Sequence, residues 1–453
     1  MSQAPATAPR PPTADPLPTE AAGPPRRSRL DRAGLPRPLF WGYAGLVLFM
    51  TGDGIETGYL SPYLAGLGFS QGDVGAIFTV YGAAAALGAF LAGALADAWG
   101  PRRVMAIGAA FWAGCHILLL TAAIPLGSYP LIMASYGVRG LGYPLFAYGF
   151  LVWIMAAASQ RGIGRALGWF WFSFTLGLPT LGSLLASALV PAVGGYGTLW
   201  ISLVLVLTGS VLALVLLTEP TGRSPLLPAD RRDVRAALRG SVTILFSRPR
   251  IGAGAVVRLI NTTSQFGIWV FMPFYFTGTL GFALSQWLRL LTVMMGANLV
   301  FVLLFGALGD RWSKRGTVIW CGGVLSAAGC LALYYLPAAT DRNFLVASLA
   351  AALFGAGLAG YVPLPPLMTA QAPGRKGQVM SAYSLGAGAS VALGPLLGTL
   401  FVGPLGVEGV MWIYAGLHVL SGLLVRFLPE PEPEPKPEPE PEPELARAGA
   451  RGR

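Results

Sequence analysis

Charge is scarce in this chain. Of its 453 residues only 11% are Asp, Glu, Lys or Arg, against 54% hydrophobic, and the mean hydropathy is +0.61. A soluble domain carries roughly 25% charged residues, so too few remain here to coat a water-facing surface. Cysteine is nearly missing as well. Cys115, Cys321 and Cys330 fall inside apolar runs and show no CxxC spacing, which argues against a disulfide framework and against a cysteine zinc site. Histidine is limited to His116 and His418, without an HExxH or any cluster, and no Walker loop is present. Metal hydrolysis and ATP as an energy source are therefore not indicated, and no cofactor is expected.

What the chain has instead is length without charge. Apolar runs recur at 39–65, 74–96, 104–124, 131–158, 166–190 and 198–217, then at 251–279, 287–308, 317–336, 344–369, 378–402 and 410–427. At 1.5 Å per helical residue, about 20 residues cross a hydrocarbon core of about 30 Å. The runs are continuously apolar rather than alternating, which favours helices over a barrel. We read about twelve membrane spans, hence an all-α integral membrane protein embedded in a lipid bilayer.

The formal charge of +11 raises the question of nucleic acid. Placement of the basic residues answers it. Arg26, Arg27, Arg29, Arg32 and Arg37 precede the first run, and Arg102, Arg103, Arg161, Arg165, Arg311, Lys314, Arg315, Arg375 and Lys376 occupy the even-numbered loops. The middle loop adds Arg223, Arg231, Arg232, Arg235, Arg239, Arg248 and Arg250, whereas the odd-numbered loops hold only Arg342, with Arg289 at a margin. That distribution follows the positive-inside rule, with both termini cytoplasmic in the inner (plasma) membrane, and no basic stretch is interleaved with aromatics for nucleic acid. The N-terminal region lacks an apolar segment followed by a small-residue cleavage site, so no cleaved signal peptide is expected.

The chain is also duplicated. GALADAWGPRR at Gly93–Arg103 returns as GALGDRWSKRG at Gly306–Gly316, an offset of 310 − 97 = 213. The expected organisation is a cytoplasmic tail at 1–38, a first six-helix bundle at 39–217, a linker at 218–250, a second bundle at 251–428 and a Pro/Glu-rich tail at 429–453. That last segment, alternating Pro with Glu, reads as extended, solvated chain.

The repeated loop carries a family resemblance. Gly93, Asp97, Gly100 and Arg102, and again Gly306, Asp310, Arg311, Lys314 and Arg315, resemble the signature G-x-x-x-D-[RK]-x-G-[RK]-[RK] of the major facilitator superfamily. Ala98 and Pro101 stand where that signature has basic residues, and Ser313 replaces its glycine. The resemblance implies two pseudo-symmetric six-helix bundles around a central cavity lined by spans one, four, seven and ten. It also implies that the loops, through Gly93, Asp97, Arg102, Gly306, Asp310, Arg311 and Arg315, latch the bundles together. The physics of such a latch is a carboxylate facing an exposed helix N-terminus; ordinary topogenic charge would account for the arginines but not for the paired Gly and Asp. More narrowly, LPRPLFWGYAGLVLFMTGDGIETGYLSPYL and VVRLINTTSQFGIWVFMPFYF are similar to the polyol permease subgroup of ribitol and D-arabinitol proton symporters. That similarity implies uptake of a sugar alcohol driven by protons, by a monomer.

Ionisable side chains within the runs are few: Asp53 and Glu56 in span one, Arg139 in span four and Arg258 in span seven. Each costs about 2.5 to 3.5 kcal/mol to insert, so each should face a wet cavity or a partner. Desolvation favours the protonated form of a carboxylate and a nearby Arg the ionised form. Asp53 or Glu56 is therefore the expected proton carrier, tuned by Arg139. Arg258, Asn261 and Gln265 share one face of span seven at i, i+3 and i+7, a stripe suited to hydroxyl groups. Tyr143 and Tyr361 are the aromatic candidates for the carbon face of a small-molecule substrate. Plain alternatives stand beside these readings: static ion pairs for the charges, interhelical glue for the amides, packing for the tyrosines. His116 and His418, on spans three and twelve, read as structural.

The residues thus point to a transporter, not an enzyme, carrying a small polar solute by alternating access. The rivals are a proton-coupled carboxylate permease, favoured by Arg139 and Arg258, a proton-driven drug exporter, and a non-transporting sensor on the same fold.

Overall fold

The computed structural model describes residues 37–158, 163–228, 234–372 and 376–430, and every regular element among them is a helix. Most of the two expected tails, and Arg161 and Arg375 of the basic loops, lie outside the described residues.

Eight helices among the described residues are long and apolar enough to cross a membrane. Two of these are double. Arg165–Leu216, at 52 residues, would run about 78 Å as one helix, and it turns at Gly194, where φ is 75°. Val379–Val425 likewise turns at Gly406, φ 67°. Positive φ is costly for any residue with a Cβ, so glycine allows these hairpins. They lie 406 − 194 = 212 residues apart, which extends the loop repeat to the turns. Span one, formed by Phe40–Gly54 and Leu60–Gly66, and span seven, Pro249–Phe274, complete twelve crossings (8 + 2 + 2).

Local chemistry fixes the ends. Asp73 N donates to Ser70 Oγ at 3.1 Å while Ser70 N donates to the Asp73 carboxylate at 3.0 Å, a capping box that starts Gln71–Trp99. Pro101 fills the first turn of Pro101–Leu118, where a missing N–H costs nothing. Asn343 caps Phe344–Ala359 by accepting from Leu345 N at 3.0 Å.

Packing depends on missing side chains. A Cβ on Gly54 would sit 1.7 Å from Leu178 O, so span one touches span five backbone to backbone. Between the two halves, a Cβ on Gly82 would lie 2.3 Å from Val391 O, and Trp287 Nε1 donates to Gly58 O at 3.1 Å. These cross-half contacts run from the middle of the molecule to the end away from the basic loops. At the other end the paired glycines of the duplicated segments have room: a Cβ on Gly93 would meet nothing within 4 Å, and one on Gly306 only Val362 at 3.9 Å. Large apolar side chains such as Leu303, 75% exposed, and Val204, 60%, cover the outside, a surface made for lipid.

Three of the four expected cavity-lining spans are interrupted. Span one breaks between Gly54 and Leu60, span four widens its turn over Met133–Gly137 and restarts at Gly142, and span ten breaks between Ala359 and Leu364. Irregular backbone at membrane depth is tolerated where protein or a cavity satisfies it, and the breaks in spans one and four border a cavity whereas the break in span ten does not.

Candidate functional site

The break in span one releases Glu56 from the helix and turns it toward span four. Arg139 Nη1 donates to Glu56 Oε1 at 2.7 Å and Nη2 to Oε2, a forked pair with both residues buried. Nη1 also meets His116 Nδ1, and His116 Nε2 lies 3.0 Å from Leu199 O. Arginine can only donate, so Nδ1 accepts and the imidazole proton sits on Nε2, donating to Leu199. The guanidinium is held between the rings of Trp112 and Tyr136, 4.6 and 4.5 Å from their centroids.

Asp53 is served differently. Trp112 Nε1 donates to its Oδ1 at 2.6 Å, and Tyr81 OH lies 3.4 Å from each oxygen. Its hydrogen-bond partners are thus uncharged, while Glu56 takes the arginine. With His116 neutral, the cluster holds two acids and one base, and one proton brings it to neutrality.

Asp53 and Glu56 line a cavity of about 60 Å³ with Tyr81, Tyr136 and Tyr143, and Phe266 and Trp269 close it from the second half. The repeat explains the facing pairs: 53 + 213 = 266 and 56 + 213 = 269, so equivalent positions of the two bundles meet across the space. One side presents acids and the other aromatic rings. Trp269 Nε1 is buried and has no partner among the described residues, an unspent donor on a wall residue. A cavity of this size holds a few waters and is too small for a larger solute.

The span-seven stripe lies elsewhere. Arg258 Nη1 donates to Asn261 Oδ1 at 2.8 Å and to Thr262 Oγ1 at 3.0 Å, its guanidinium lies 5.0 Å from the Tyr383 ring centroid, and its Nε has no partner among the described residues. Asn261 Nδ2 donates to Leu358 O at 3.3 Å. Neither they nor the half-buried Gln265 are on the cavity wall; they sit on the same helix as Trp269, closer to the basic loops. Tyr361 also departs from its expected place. The break in span ten leaves its ring against spans nine and twelve, where its hydroxyl is spent on His418 Nδ1 at 2.9 Å and Ser421 Oγ at 2.5 Å.

Of the loop residues, Asp97 and Asp310 cap no helix among the described residues. Asp97 contributes its backbone carbonyl, which accepts from Leu226 N at 3.0 Å and Leu227 N at 3.2 Å, so the chain leaving span six folds over the first loop. The same segment is pinned by Glu219. Although partial burial raises its carboxyl, hydrogen bonds from Thr221, Trp153 and Gly222 hold it below the ordinary value. Asp310 lies 3.6 Å from Lys314, while Arg102 is half-buried and Arg311 and Arg315 are exposed.

A family model described as Major Facilitator Superfamily matches residues 42–295 and 254–451. The chain belongs to the major facilitator superfamily. This major facilitator chain is similar to the alpha-ketoglutarate permease of Bacillus subtilis, 42% identical over 401 residues, covering 88% of this chain and 91% of that one. It is also similar to the D-arabinitol transporter of Klebsiella pneumoniae, 36% identical with 87% and 93% covered, and to its ribitol transporter, 35% identical with 86% and 92% covered. Among solved structures its fold resembles the nucleoside transporter NupG (TM-score 0.68, 14% identity, 86% and 99% covered) and a D-xylose–proton symporter (0.63, 18%, 87% and 98%). Relatives named as transporters and permeases make this facilitator a multi-pass membrane transport protein rather than an enzyme.

Within it, the pattern of four lining spans hid Trp112 and His116, which reach the charge cluster from span three, and Tyr81 from span two. A signal existed: Trp112 and His116 are one turn apart on one helix face, polar atoms on an otherwise apolar run.

Proposed function

We propose that this facilitator imports a sugar alcohol together with a proton, by rocking two bundles about the cavity between spans one and seven. The observation that carries the reading is the cavity wall. It sets the Asp53 carboxylate, tyrosine rings and an unspent indole donor around one small space, and hydroxyl groups both donate and accept. Aromatic faces suit the carbon chain between them. Similarity to the D-arabinitol and ribitol transporters supports the same substrate class.

For the proton, the cluster has one acid more than it has bases, and Glu56 is committed to Arg139. Asp53 is then the carrier: protonated when the site is empty of compensating charge, ionised when the proton leaves. The cross-half contacts described above lie from the middle of the molecule outward, and among the described residues no hydrogen bond or ion pair joins the two duplicated loops. With those loops cytoplasmic in the inner membrane, this conformation faces inward, and Asp97 and Asp310 engage as latches when the other side opens. A normal turnover rate for Asp97→Asn would remove that latch. We read the transporting unit as a monomer.

A second reading is favoured by Arg258, which has no acidic partner among the described residues and could hold a small carboxylate. The 42% identical alpha-ketoglutarate permease supports it. The deciding experiment is uptake into proteoliposomes under an imposed proton gradient. D-arabinitol or ribitol should accumulate and 2-oxoglutarate should not; the reverse pattern overturns the polyol assignment in favour of Arg258.

A further inference from the structure

At the basic-loop end of the second bundle, Pro249, Arg250, Ala253, Arg315, Arg426 and Pro429 surround a cleft of about 500 Å³. Its three arginines come from three places in the chain: the start of span seven, the duplicated loop before span nine and the end of span twelve. All three are exposed and none makes a salt bridge within 4 Å among the described residues, Glu430 being the acid whose carboxyl feels the Arg315 charge. Three cations converging on one cleft call for an anion with several negative charges.

The last described residues lead into that cleft. Gln371 Nε2 donates to Pro429 O at 3.1 Å, and Glu430 accepts on Oε1 from Ser313 Oγ and, at 3.0 Å, from Arg315 N. Glu430 is the first acid of a run in which Glu432, Glu434, Glu438, Glu440, Glu442 and Glu444 alternate with proline. From 431 to 444 the run carries six Glu and one Lys, a net charge of 1 − 6 = −5. Extended proline-rich chain advances about 3.1 Å per residue, so acids two and four positions after Glu430 have a reach of about 6 and 12 Å from it. Proline also restricts the free chain, so less entropy is lost when it is ordered.

We propose that the Pro/Glu tail is the ligand of this arginine cleft, an intramolecular strap seated on Arg250, Arg315 and Arg426 through Glu432 and Glu434. The first bundle offers the parallel. There the chain leaving span six folds back over the Asp97 loop, and here the chain leaving span twelve has begun to fold over the Asp310 loop. Each copy of the duplicated loop is then covered by the segment that follows its own bundle.

The test uses the full chain with Cys115, Cys321 and Cys330 replaced by alanine and a nitroxide on Lys436→Cys, which leaves every tail acid in place. Spin-label mobility is read in detergent and in nanodiscs of phosphatidylcholine with and without phosphatidylglycerol. The label should be restrained in all three and released as KCl rises from about 0.1 to about 1 M, where screening shortens to about 3 Å. Arg250→Gln with Arg426→Gln should release it too. Exposed ion pairs are each worth at most about fivefold, so losing two should shift the docked-to-free ratio by about tenfold. Glu432→Gln with Glu434→Gln should do the same with the arginines intact, which separates undocking from misfolding. Equal mobility in parent and both double variants would overturn the proposal. So would restraint that appears only with phosphatidylglycerol, since the cleft would then be holding a lipid headgroup.

Discussion

Asp53→Asn and Glu56→Gln make opposite demands on the same cluster. Asparagine can still accept from Trp112 Nε1, the 2.6 Å bond that holds Asp53, and it imitates the protonated acid. Folding should be spared while proton binding is lost. Glutamine at position 56 keeps one acceptor for Arg139 but sets an N–H₂ against the second guanidinium arm. Arg139 is 0% exposed and has no water to turn to. Removing one partner of a buried ion pair costs about 3–5 kcal/mol, and the surviving acceptor places this case near the lower end. For transport, one proton moving down about one pH unit supplies about 1.4 kcal/mol, enough for about tenfold accumulation. Wild-type proteoliposomes should reach that ratio. Asp53→Asn should fall to unity while solute counterflow without a gradient persists, with an unchanged thermal unfolding midpoint. Glu56→Gln should unfold at clearly lower temperature. Accumulation by Asp53→Asn at the wild-type ratio, or a Glu56→Gln protein as stable as wild type, would refute the division of labour between the two acids.

Other expectations follow from the same geometry. His116→Leu removes an acceptor from Arg139 and should cost about 1–3 kcal/mol in thermal or denaturant unfolding, whereas His116→Gln, which still accepts, should recover most of it; equal losses would discount the hydrogen bond. Trp269→Phe keeps the ring and deletes the free indole donor, so apparent solute affinity should weaken by about two- to tenfold at constant proton stoichiometry, and an unchanged affinity would take Trp269 out of the site. Gly54→Ala places a methyl 1.7 Å from Leu178 O, an overpacking worth about 1–3 kcal/mol that should appear as a lower unfolding temperature. Glu219 has a depressed carboxyl in the folded state, so its contribution is present above the ordinary value of 4.5 and is lost as pH falls through the folded one. Proteolysis of the segment after span six should therefore rise on acidification below that value, and Glu219→Gln should be cleaved alike at neutral and acid pH.

The membrane class was legible because a chain with 11% charge has few other ways to fold, and the duplication was legible because loops at a bundle end evolve under the same geometric demand twice. Asp53, Glu56 and Arg139 announced themselves by the cost of burying charge. The partners of those charges were harder to read. Trp112 and Tyr81 look like any apolar-span aromatics until the break at 55–59 turns Glu56 away from the helix axis and brings spans two and three into play. Tyr361 misled for a similar reason. Periodicity assumes an unbroken helix, and the interruption between Ala359 and Leu364 changes which neighbours a residue meets. Helix breaks are tertiary decisions, made by glycine contacts such as Gly54 on Leu178, and a single sequence does not list who approaches whom.

The charged cluster has one more property, set by where its members sit. Asp53, Glu56, Tyr81, Trp112, His116 and Arg139 all belong to the first repeat, so the two bundles can swing without stretching any bond among them. Motion alone then leaves the cluster's hydrogen bonds as they are. Under the proposed symport, a solute's arrival is felt across the opposite bank, where Phe266, Trp269, Val270, Val391 and Pro395 face the cluster. One repeat holds the charged cluster and the other supplies an aromatic wall, so the twin halves that kept their loops alike have made the two banks of the chamber chemically unlike.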